Sequence, residues 1–132
     1  MSIEEQIYTR LSTDVDVVAI ASTRIYPNQK PQNSALPAVT FRRVSALRPS
    51  AMNIDTGIVQ ARFQFDIWTD EKSGAYDTAL ALRTAVQGSL QRWRATTPIR
   101  IWDVFILGEV DLFEDEVEQQ HLVLDVEVNY TE

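Results

Sequence analysis

The 132-residue sequence predicts an α+β fold: an antiparallel sheet of about four strands packed by one long helix, with two short N-terminal helices. Two patterns carry most of that expectation. Residues 58–68 alternate strictly, with Val59, Ala61, Phe63, Phe65 and Ile67 on one side and Gln60, Arg62, Gln64, Asp66 and Trp68 on the other. That is the period of a strand with one buried face. Near Asp70 the period turns helical, and Ala75, Ala79, Leu82, Val86, Leu90 and Trp93 form an apolar stripe about 20 residues long.

The other elements follow in order. Ser2 with Glu4 and Glu5 marks a helix start, with the acids on the positive end of the dipole. Ile3, Ile7 and Leu11 give that helix one apolar face over residues 3–12. Asp14 can cap a second short helix through Val17, Val18 and Ala21. Arg24-Ile25-Tyr26 is a brief extended segment ended by Pro27. Asn28 to Pro37 reads as a loop stiffened by Pro31 and Pro37. Ala38 to Ala46 reads as a strand, and Leu47 to Thr56 as a second loop. After the long helix, which Thr96 to Pro98 ends, Ile99 to Leu107 is a β segment and Gly108 to Glu118 an acidic connection. Gln120 to Tyr130 is the last strand. No repeat or linker divides the chain, so residues 1–132 are read as one domain.

Charge is sorted by region. Between Val17 and Ile54 stand five bases (Arg24, Lys30, Arg42, Arg43, Arg48) and no acid. Between Ile101 and Glu132 stand ten acids and no base. Unpartnered surfaces usually intersperse the two signs, so the segregation points to two surfaces that meet, within one fold or between copies. The net charge of −7 argues against a general nucleic-acid binder. There are no cysteines, hence no disulfide and no thiolate chemistry. The N-terminus lacks the apolar stretch of a signal peptide, and no run approaches the roughly 20 apolar residues of a membrane span.

Catalytic and metal motifs are weak. His121 is the lone histidine, and Asp125, four residues along the same strand, lies roughly 13 Å away; a partly exposed structural histidine is expected. The acidic run Asp111, Glu114, Asp115, Glu116 and Glu118 lacks the calcium-loop pattern and its glycine, so it reads as a solvated loop or a subunit contact. The four glycines are too dispersed to cradle phosphate, and no serine sits in a nucleophile elbow. No catalytic residue, cofactor or metal ligand is assigned, and the protein is expected not to be an enzyme.

Five ordered segments resemble the small tail-completion (tail terminator, head–tail joining) proteins of long-tailed bacteriophages and prophages. They are the helix Ile3–Leu11 with its Asp-led successor, and Arg24-Ile25-Tyr26-Pro27. Next come the Gln-containing loop closing on Leu36-Pro37-Ala38-Val39 and the strand Ala61–Trp68. The fifth is Asp111-Leu112-Phe113-Glu114 leading to Leu122-Val123-Leu124-Asp125-Val126. The resemblance implies a non-enzymatic virion subunit, typically in a hexameric ring, at the head-proximal end of the tail. The ring would stop tube polymerisation and present a surface to the head connector. Its partners would be itself, the tube protein and the connector protein, with DNA only passing through the lumen and no membrane. It would be assembled in the host cytoplasm.

In that frame the candidate subunit interface is Arg24, Arg42, Arg43, Arg48 and Arg62 against Asp111, Glu114, Asp115 and Glu116. Whether they pair within one subunit or around a ring is left open. Loop residues Asn28, Gln29, Lys30, Gln32, Asn33, Asn53 and Asp55 are the candidate contacts to tube and connector, because loops on rigid strands carry function. Exposed Trp68 or Trp102 could anchor either contact. The alternatives are a connector subunit on the portal side, or a small binding module for an acidic or peptide ligand.

Overall fold

The computed structural model describes residues 2–28, 35–51, 54–55, 57–70, 75–114 and 119–131. Ser2 and Glu5 close a capping box at the start of α1 (Ile3–Ser12), with the Glu5 N–H donating to Ser2 Oγ at 3.1 Å. Its buried face holds the expected Ile3, Ile7 and Leu11, and also Gln6. A polar Gln6 is tolerated there because its amide is used twice on one residue. Nε2 donates to the Ile99 carbonyl at 3.0 Å, and Oε1 accepts the Ile99 N–H at 2.8 Å. Asp14 caps α2 (Val15–Ala21), its Oδ1 accepting from the N–H groups of Asp16 and Val17.

The strands are β1 (Ile25–Pro27), β2 (Ala38–Leu47), β3 (Ser50–Ala51), β4 (Ile54–Asp55), β5 (Ile58–Asp70), β6 (Arg100–Glu114) and β7 (Gln119–Thr131), with α3 (Ala75–Leu90) between β5 and β6. Five of them form one sheet in the order β1-β2-β5-β7-β6, and β3 pairs only with β4. The sheet is therefore larger than the expected four antiparallel strands, and mixed. β1 lies parallel to β2, Ile25 opposite Val39, held by Val39 N–H to the Arg24 carbonyl at 2.9 Å and Asn28 N–H to the Phe41 carbonyl at 2.7 Å. All other pairs in the sheet are antiparallel.

Three further expectations are corrected. The 47–56 loop contains the β3–β4 ladder. The helical stripe stops at Leu90: Arg92 takes a left-handed conformation (φ 61°), and its N–H donates to the Val104 carbonyl. Trp93 is thus buried from the following turn, with the Arg10 guanidinium over its ring at 5.3 Å. The expected acidic connection from Gly108 is mostly strand, because β6 runs on to Glu114 beside β7.

The core lies between the helices and one face of the sheet. Val59, Ala61, Phe63, Phe65 and Ile67 of β5 are fully buried, as are Leu122, Leu124, Val126 and Val128 of β7, all opposed in register. Phe41 stacks on Phe65 with ring centres 5.5 Å apart. α3 contributes Ala79, Leu82, Val86 and Leu90 to the same core. Among the described residues no helix covers the opposite face of the sheet.

Candidate assembly interface

Strand order decides what the sorted charges can do. β2 carries Arg42 and Arg43, β6 carries Asp111 and Glu114, and β5 and β7 lie between them. Three strand spacings separate β2 from β6, about 14 Å. The basic strand and the acidic strand therefore stand at opposite sides of one subunit and do not meet within it.

The acids of β6 find other cations instead. Arg83, from α3, donates from Nε to Glu109 Oε2 at 3.0 Å and from Nη1 to Asp111 Oδ1 at 2.8 Å. Tyr76 Oη donates to Asp111 Oδ2 at 2.8 Å, and this hydrogen bond holds the phenol above its ordinary pKa. Asp103 pairs with Arg92 at 2.7 Å and Arg94 at 3.5 Å. The side chains of Glu109 and Asp111 thus turn toward α3, on the helix side of the sheet. The large apolar residues Phe105, Val110 and Leu112 stand on the open side, opposite Glu127, Val123 and His121. This is the reverse of the usual arrangement of a half-buried strand.

The basic candidates divide. Arg24 is structural: Nε donates to the Pro37 carbonyl at 2.7 Å and Nη2 to the Ile20 carbonyl at 3.3 Å. Arg62 is bound to Asp125 of its own subunit, with Nε 3.0 Å from Oδ1 and Nη2 on Oδ2, and that hydrogen bond raises the guanidinium pKa. Arg43 donates to Tyr130 Oη at 3.3 Å. Arg42 is exposed and makes no hydrogen bond or ion pair among the described residues. Arg48 is exposed beyond the end of β2.

Of the other candidates, Glu114 ends β6 and Asp55 lies on β4. Asn28 is exposed just after β1, in a left-handed conformation (φ 71°). Gln29, Lys30, Gln32, Asn33, Asn53, Asp115 and Glu116 lie outside the described residues.

His121 departs from expectation. It is buried, stacked on Trp68 with ring centres 3.8 Å apart, and its Nε2 lies 3.4 Å from Asp66 Oδ1. Trp68 is thereby half-buried. Trp102 remains exposed: its Nε1 donates to Thr131 Oγ1 at 2.7 Å, and the Arg100 guanidinium sits 3.8 Å over its ring. Among the described residues no group of three or more His, Cys, Asp or Glu could hold a metal ion.

Two edges of the sheet are open. β1 covers β2 only from Val39 to Phe41, so the outer edge of residues 42–47 has no ladder partner among the described residues. β6 pairs with β7 on one side; its other side takes the Ala95–Ile101 bridge and the Arg92 N–H on the Val104 carbonyl, and from Phe105 to Glu114 has no ladder partner among the described residues. The sequence places Arg42 and Arg43 on a strand over Ala38 to Ala46 but identifies no edge, and it takes the second half of β6 for a connection.

The family model for tail completion protein gp17 matches residues 5–131. The chain belongs to the tail completion protein gp17 family. This makes the gp17-family chain a structural protein of phage-type tails. Among solved structures it is similar to a chain of the virion of a native gene transfer agent particle. That match has 19% identity and a TM-score of 0.81, and covers 99% of this chain and 96% of that one. At that identity the likeness is one of fold. No curated protein matches the chain.

Proposed function

We propose that this gp17-family protein forms a ring on the head-proximal end of a tail tube, ends tube polymerisation and offers the surface to which the head connector joins. The observation that carries the reading is the pair of unlike edges on one sheet. The β2 edge bears Arg42 and Arg43, with Arg48 just past its end, and β6 carries Glu109, Asp111 and Glu114 with the exposed apolar side chains of Val110 and Leu112. A head-to-tail contact needs two different patches, and closes into a ring when the rotation between copies allows. Six copies is the number the family resemblance implies.

Capping follows from asymmetry between the ring faces. One face fits the last ring of the tube, and the other lacks the tube's own polymerising surface, so growth stops there. The contacts to tube and connector are assigned to Asn28, Gln29, Lys30, Gln32, Asn33, Asn53 and Asp55, of which Asn28 follows β1 and Asp55 lies on β4. DNA crosses the lumen without being read, which suits a net charge of −7. The reading assigns the protein no catalytic step.

The test is light scattering of the protein alone and with tube protein, together with micrographs of the tubes. Oligomers and tubes of limited length are expected. A strict monomer that neither binds nor shortens tubes would overturn the reading.

A further inference from the structure

We infer that neighbouring copies join by backbone pairing, the open β6 edge of one subunit adding the 42–47 edge of the next as an antiparallel strand. This rests on the ring reading above and specifies its contact. Strand direction makes the addition possible. β2 is antiparallel to β5, β5 to β7 and β7 to β6, so β2 and β6 run in opposite directions. A second copy continuing the sheet in its own plane therefore sets its β2 antiparallel to β6, with both helical layers on the same side.

The two edges match in length. Bulges at Trp102 and Leu107 leave Gly108 to Glu114 as the uninterrupted run of β6, seven residues. The open stretch of β2 has six, with its own bulge at Val44. Each spans about 20 Å or a little more.

Neither edge carries Lys or Pro, and Arg42 is the one unpaired charge placed on the β2 edge among the described residues. Solitary edges are blunted by Lys, Pro or unpaired charge, and β6 contains no Lys and no Pro. Three of its four acids, Asp103, Glu109 and Asp111, are held by arginines of their own subunit. What the edge offers outward is Leu107, Val110 and Leu112, each about half exposed at 50%, 54% and 45%. The β2 edge answers with exposed Val44 and Leu47, next to Arg42 and Arg43.

Charge selects this pairing over a two-fold one. Glu109 and Asp111 share a single cation, Arg83, so the β6 edge keeps a net negative charge. A second β6 would bring acids against acids, because residues 101–132 contain no base. β2 brings Arg42 and Arg43 and no acid, since residues 17–54 contain none.

The chain has no cysteine, so placed thiols report the contact cleanly. Ser45→Cys on β2 and Val110→Cys on β6 are both exposed sites. The double variant, alone and bound to tubes, is treated with a short bismaleimide. A ladder of dimers, trimers and larger species is expected, with no cross-linking by either single variant. Val110→Lys in the single Ser45→Cys background, mixed with Val110→Cys protein, checks that each cross-link joins one β6 to one β2: dimers only are expected.

Dimers from Val110→Cys alone would mean that β6 meets itself, and would overturn the inference. So would a double variant that stays uncross-linked, whether or not it caps tubes. Capping without cross-links leaves the ring reading standing and removes this contact. Cross-linked oligomers that leave tubes unaffected do the reverse.

Discussion

Arg62 and Arg83 each hold carboxylates, in surroundings that differ enough to separate their value. The Arg62 side chain is 53% exposed, whereas that of Arg83 is 15% exposed and serves both Glu109 and Asp111. Exposed pairs contribute little, but removing the one cation between two carboxylates leaves both uncompensated. Arg83→Ala should cost about 1–3 kcal/mol in urea unfolding, while Arg62→Ala should leave the midpoint nearly unchanged; equal losses would contradict this. Gln6→Leu should likewise cost about 1–3 kcal/mol, because the Ile99 N–H and carbonyl lose their partner. Tyr76 gives a pH signature. Its hydrogen bond to Asp111 raises the folded pKa above the ordinary value of 10.0. The stability it contributes is complete below pH 10 and is lost as pH rises through the higher folded value. In an alkaline absorbance titration, the tyrosinate transition that Tyr76→Phe removes should lie above pH 10. If the lost transition lies at 10 or below, the bond does not hold the phenol. These partners were legible in part. Residues 78–102 contain Arg83, Arg92, Arg94 and Arg100 and no acid, a second base-only block directly before the acidic one. Reading only the block at 17–54 hid the local solution to most of the charge sorting.

At the scale of elements, α1, α2, β5 and β7 were readable because burial and period agree in them. β6 was not. In Gly108 to Glu114 the acids Glu109 and Asp111 point to the helix side and the apolar Val110 and Leu112 to the open side, so the pattern looks like a solvated loop. The reason lies outside the strand: Arg83 and Tyr76 satisfy the acids from α3, which no periodicity within β6 can reveal. β1 was too short to show a period, and its parallel partner becomes clear only from its bonds to β2. Hydrogen exchange tests the extension of β6. In the free subunit, amides of residues 108–114 that face β7 should be protected, while those on the outer edge exchange fast. Uniformly fast exchange would return the segment to a loop. Stability should divide the same way. Phe65→Ala, fully buried, should cost about 3–5 kcal/mol, whereas Val110→Thr with Leu112→Thr should stay within about 0.5 kcal/mol per site in the monomer.

For the whole molecule, two unlike edges give assembly a polarity that mixing can expose. A subunit with a dead β2 edge still offers β6, and one with a dead β6 edge still offers β2. Arg42→Glu with Arg43→Glu kills the first by reversing both charges, at a cost in the subunit limited to the Arg43–Tyr130 bond. Val110→Lys kills the second at an exposed position, where a Lys is a natural edge blocker. Neither variant can form a closed ring by itself, because a ring uses both edges of every subunit. Mixed in equal amounts, each supplies the edge the other lacks, and every complex has one live junction. Light scattering should then find both variants monomeric alone and a dimer, nothing larger, in the mixture. Either variant added to wild-type protein should end chains of subunits and lower the yield of rings, in proportion to its fraction. A two-fold contact behaves differently. If β6 met β6, the β2 variant alone would dimerise like wild type, and the mixture would hold no new species. Raised salt should weaken wild-type assembly, since Arg43, on the helix side opposite Phe63, faces Glu109 and Asp111 across a solvated rim, yet leave part of it, since backbone pairing and apolar contact remain.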